Sequence, residues 1–112
     1  MMARKIKIER GSGNIFADLG IPDPETHLLK AEIIVELARL CEERKLSQQG
    51  AGKLMGISQP EVSRLFRGHF REYSVERLMG FLTDFNRDVE IVVRPRKKAG
   101  RHGKITFTPV AA

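Results

Sequence analysis

The chain has a single cysteine, a single tyrosine and no tryptophan among 112 residues. One thiol, Cys41, excludes an internal disulfide framework and fits a reducing compartment such as the cytoplasm. Few aromatics argue against single-stranded RNA binding, which stacks bases on aromatic side chains interleaved with basic ones. No uncharged apolar run approaches the roughly 18 residues that a membrane span requires. Basic residues open the chain, but no apolar stretch follows them, so no secretory signal is expected. The histidines (His27, His69, His102) fall on separate segments with no ligand cluster around them. Neither a metal site nor a catalytic triad can be assembled from that inventory, so no cofactor and no enzyme activity are expected. His27 and Cys41 share one helix but stand 14 positions apart, hence about 21 Å along its axis, too far to act as a pair.

Acidic residues are absent beyond Glu90, while Arg94, Arg96, Lys97, Lys98, Arg101 and Lys104 follow. The whole chain holds 20 basic and 14 acidic residues, so its first 90 residues balance to zero and the surplus of +6 is confined to the last 22. Such a run is either a solvated loop or an electrostatic contact with nucleic acid or an acidic partner.

Three regions emerge from the remaining pattern. Residues 1–22 read as an N-terminal arm and loop, with Asn14 capping a single turn that Gly20 closes. Residues 23–87 read as a helical domain. Asp23-Pro24-Glu25 predicts a helix start, with Asp23 accepting from free amides. That helix runs to about Arg44, with Glu25, Glu32, Glu36, Arg39 and Glu43 on a polar stripe and an apolar arc wide enough to be covered from two sides. Ser47 and Ser58 cap two short helices, 48–55 and one reaching about Arg67, and Ser74 opens a further helix. Residues 88–112 read as a C-terminal β-addition. Val89–Val93 and Ile105–Phe107 alternate like strands, separated by the basic loop 96–103, and form a dimerisation element. The chemistry leaves open whether those strands pair within one chain or between two.

The segment from Leu46 to Gly68 carries the function. Two helices crossing steeply need a small residue at the crossing, met by Gly52, and a turn residue that accepts positive φ, met by Gly56. Ile57, Val62, Leu65 and Phe66 would anchor the second helix. Leu46-Ser47-Gln48, Met55-Gly56-Ile57-Ser58-Gln59, Val62-Ser63-Arg64-Leu65 and Gly68 together resemble the phage-repressor and Cro (XRE-type) class of helix-turn-helix regulators. The resemblance implies an all-α, lambda-repressor-like bundle of about five helices, here with the short β-addition. It also implies a repressor that binds double-stranded DNA. A narrower resemblance rests on residues 11–20, 28–31 and 87–93, and is to HigA-type antitoxins partnered by RelE/ParE-type toxins. A stand-alone repressor and a protein-interaction module on the same scaffold are the competing readings.

In that class, the position of Gln48 braces a phosphate and that of Gln59 reads adenine. A glutamine amide donates and accepts at once, matching adenine N6 and N7 in the major groove. Ser58, Pro60 and Ser63 join the DNA-binding set, with Pro60 and Ser63 facing the groove floor and Pro60 offering apolar contact at most. Arg64 takes a guanine or a phosphate, and Arg67, His69 and Arg71 follow as backbone clamps. Lys53, Arg96, Lys97 and Lys98 complete the candidate phosphate contacts. Glu61 either accepts from a cytosine amine or points aside. A single motif reads few base pairs, so a homodimer on a palindromic operator is expected.

Overall fold

A computed structural model describes residues 14–97 and 102–110. The arm before Asn14, together with Lys98 and Arg101, lies outside the described residues.

Asn14 caps α1 (Ile15–Asp18): its side chain accepts from the Phe16 amide at 2.9 Å. Its Nδ2 donates to the Pro24 carbonyl at 2.8 Å, which ties the first turn to the start of α2 (Pro24–Glu43). Asp23 departs from expectation. It adopts a left-handed backbone (φ 51°, ψ 61°) and makes no side-chain cap. An N-cap ordinarily takes the β region, from which its side chain reaches the free amides, so the left-handed backbone goes with the missing cap.

α2 is about 30 Å long and is the spine of the molecule. It packs against α1, α4 (Gln59–Phe66) and α5 (Val75–Asp84), while α3 (Gln48–Met55) packs on α4 and α5. Two-sided cover of α2 therefore comes from the chain itself. The polar stripe is not wholly solvated, because Glu32 and Glu36 are buried. Arg39 meets Glu36 through Nε and Nη2 at 2.9 and 2.8 Å, a bidentate pair that keeps the guanidinium charged. Glu43 bridges Arg39 and Arg87, so the stripe is an ion-pair seam between α2 and the end of α5.

The core joins Ile33, Ile34, Leu37, Leu40 and Cys41 of α2 to Val62, Leu65 and Phe66 of α4. Phe70 and the α5 face Leu78, Phe81, Leu82 and Phe85 complete it. Two long-range bonds pin the ends of α2. Lys30 Nζ donates to the Arg71 carbonyl at 3.0 Å, and Arg44 Nη2 donates to the Phe85 carbonyl at 2.6 Å. His27 stands between Phe16 and Phe70, with ring centroids 4.4 and 4.8 Å away. Burial, then the charges of Arg71 and Lys30, lowers its pKa.

The predicted β-addition is corrected. Among the described residues, 88–97 and 102–110 contain no strand. Ile91, Val92 and Val93 are successive and all exposed, so the run presents apolar groups on both faces, and among the described residues no backbone pairs with it in a ladder. Phe107 alone of the second segment packs against the core. Among the described residues, the fold is thus a five-helix, all-α bundle followed by segments without regular structure.

Candidate nucleic-acid interface

The geometry of α3 and α4 follows from a few small residues. A Cβ on Gly52 would lie 2.6 Å from the Ile57 carbonyl oxygen and 3.5 Å from Val62 Cγ2, so only glycine allows this approach. Gly56 takes φ 76°, a conformation that an L side chain rarely adopts. The Gly52 carbonyl accepts from the Gly56 and Ile57 amides at 2.7 and 3.0 Å, which closes α3 and aims the chain into α4.

Ser58 opens α4 with a complete capping box. Its hydroxyl oxygen accepts from the Glu61 amide at 3.3 Å, and Glu61 Oε1 accepts from the Ser58 amide at 3.1 Å. Ser58 Oγ also donates to Glu61 Oε1, so this hydroxyl is engaged in the cap. The Glu61 question is answered here: its carboxylate turns back onto its own helix start. Hydrogen bonds from Ser58 hold its pKa below the usual carboxylate value. The spacing Ser58-x-x-Glu61 is a capping-box signature that the sequence reading passed over.

With the first turn fixed, α4 buries Val62, Leu65 and Phe66 and leaves Gln59, Pro60, Arg64 and Arg67 exposed, with Ser63 half-buried. Gln59 Nε2 donates to Gln48 Oε1 at 2.7 Å, so the two glutamines singled out from the sequence meet across the two helices. Arg64, His69 and Arg71 line one open depression of about 480 Å³ beside α4, together with Glu61, Glu72, Tyr73 and Arg77. Tyr73 and Arg77 were missed by sequence reasoning, since nothing local links them to α4. Lys53, Arg96 and Lys97 are exposed, and no hydrogen bond or ion pair among the described residues ties them to this face.

A family profile described as a helix-turn-helix domain matches residues 15–94. The chain belongs to the helix-turn-helix family. Its match begins at α1 and runs through the extended residues after α5. A solved structure named "Putative XRE Family Transcriptional Regulator" is 34% identical, with a TM-score of 0.74, over 80% of this chain and 100% of that one. No curated protein matches. The chain is therefore an XRE-type helix-turn-helix protein, a DNA-binding transcriptional regulator. Among the described residues, no helix of this regulator is long and apolar enough to cross a membrane.

Proposed function

We propose that this regulator is a sequence-specific repressor that binds a palindromic operator as a homodimer in the cytoplasm and carries no enzymatic step. The observation that carries the reading is the Gln59–Gln48 hydrogen bond at the exposed start of α4. It presents an oriented amide where a base edge would lie, flanked by Ser63, Arg64 and Arg67. Gln48, Lys53, His69 and Arg71 supply backbone contacts, and the exposed Arg96 and Lys97, with Lys98, add a sequence-blind electrostatic hold. The exposed apolar residues Ile91, Val92, Val93 and Ile105 support a second copy as the cover for the extended segments.

Selection from random duplexes with the full chain tests the repressor reading. The expected product is a two-fold motif whose half-sites lie about one helical turn apart. A pool without enrichment refutes base reading, and enrichment of an isolated half-site by a protein that sediments as a monomer refutes the dimer.

Within that role, we propose that the regulator is the autoregulatory antitoxin of a type II pair, a reading supported by the resemblance at residues 11–20, 28–31 and 87–93. Co-expression with the adjacent reading frame tests it. The expected result is a stable complex with a RelE/ParE-type protein that is toxic when expressed alone. A neighbour that is harmless, or that never co-purifies, leaves a stand-alone repressor.

A further inference from the structure

We infer that Tyr73 is a positioning residue for base reading, acting through Glu61 to hold the start of the recognition helix. The inference rests on α4 being the reading helix and adds residues outside it to the machinery. Glu61 uses its two carboxylate oxygens in different directions. Oε1 accepts from the Ser58 amide and hydroxyl at 3.1 and 3.2 Å, at the first turn of α4. Oε2 accepts from the Tyr73 hydroxyl at 3.3 Å, from the loop that leads into α5. The carboxylate is therefore a strap between the N-terminus of α4 and a residue 12 positions away.

Tyr73 is itself anchored. Its ring lies 6.0 Å from that of Phe81, which is buried in α5, and the Arg77 guanidinium stacks over both rings at 5.1 and 5.7 Å. The anchor is rigid because Phe81 belongs to the core and Ser74 caps α5 by accepting from the Arg77 amide at 3.0 Å. Gln59 is the residue next to Ser58, so whatever fixes Ser58 and Glu61 also fixes the backbone from which Gln59 projects. A reading side chain held before DNA arrives loses less freedom on docking. Random-sequence binding runs through phosphates and is indifferent to that register. The strap therefore acts on specific affinity alone.

The test compares Tyr73→Phe with the wild type, using the duplex that the wild type selects and a scrambled duplex of equal length. The variant keeps the ring, the Phe81 contact and the Arg77 stacking, and loses only the hydroxyl. Affinity for the selected duplex is expected to fall about 3- to 10-fold, the worth of one hydrogen bond to a carboxylate shared between order and contact. Affinity for the scrambled duplex and the salt slope should stay put, and the thermal midpoint should fall only by the worth of that one hydrogen bond. Glu61→Ala, which removes both arms, should lose more selected-duplex affinity and also lower the midpoint through the lost cap. Equal losses on both duplexes, or no loss on either with Tyr73→Phe, overturn the strap. A wild type that selects no motif overturns the base-reading premise itself, a result distinct from an unaffected variant.

Discussion

Replacing Gly52 by alanine places one methyl group against backbone. The new Cβ would sit 2.6 Å from the Ile57 carbonyl oxygen, about 1 Å inside a comfortable contact. That oxygen cannot swing aside like a side-chain tip. Its peptide belongs to the turn, where Gly56 is at φ 76° and the Gly56 and Ile57 amides are bonded to the Gly52 carbonyl. Relief therefore requires α3 and α4 to separate, and overpacking of this kind costs about 3 kcal/mol at its upper end. Alanine returns up to about 1 kcal/mol through helix propensity. The net loss is about 2 kcal/mol, or roughly an 8 °C fall in thermal midpoint for a domain of this size. Gly50 and Gly80 serve as controls. Gly50 would meet only Leu46 Cδ2 and Ser47 Oγ at 3.4 Å, and Gly80 meets nothing within 4 Å. Gly80→Ala should raise stability by up to about 1 kcal/mol, and Gly50→Ala should be neutral or mildly stabilising. Urea and thermal unfolding of the three variants check the ranking. If Gly52→Ala matches Gly80→Ala in stability, the close-crossing argument is refuted.

Three further outcomes are expected. Gln59→Ala should cost about 1–3 kcal/mol at its own base pair. Because Gln48 holds the Gln59 amide, a double-mutant cycle on the selected duplex should give a coupling of at least about 0.5 kcal/mol, and strict additivity would refute a shared role. His27 has a folded pKa below its unfolded value near 6.5, so folding favours the neutral ring. Stability should be full above about pH 6.5 and decline as pH falls through the lowered folded value, with His27→Phe flattening the onset; urea midpoints between pH 7.5 and 5.5 check this. The Cys41 thiol is buried and its pKa is pushed up to about 11, so the native protein should resist thiol reagents at pH 8 and react fully only when unfolded.

What the sequence discloses is what is encoded locally. Ser47, Ser58 and Ser74 cap the helices assigned to them, and Gly52 and Gly56 occupy the crossing and the turn, because each requirement acts within a few residues. The resemblance singled out Gln48 and Gln59 for separate roles, and their hydrogen bond, between residues 11 positions apart on two helices, is visible only in the fold. Asp23 misled because residue type signals a cap, whereas capping also needs a β-region backbone that Asp23 does not adopt. Glu32 and Glu36 misled because a helical wheel gives direction but not what lies in that direction. Val89–Val93 misled for a related reason: alternation specifies two faces, whereas a strand needs a second backbone. Glu61 was half legible, since its cap is local and its bond to Tyr73 is not.

The two bonds that pin α2 have a consequence for synthesis. Lys30 waits for Arg71 and Arg44 waits for Phe85, each partner made 41 residues later. A ribosome thus finishes α3 and α4 before it supplies α5, against which α2 and α3 pack. At about 5–20 residues per second, the growing chain spends time on the order of seconds with α4 made and α5 still missing. During that interval the faces of α2 and α3 that pack on α5 lack their partner, and the core lacks Leu78, Phe81, Leu82 and Phe85. A chain ended before residue 85 therefore lacks part of the hydrophobic core and is expected to be less stable than the full chain.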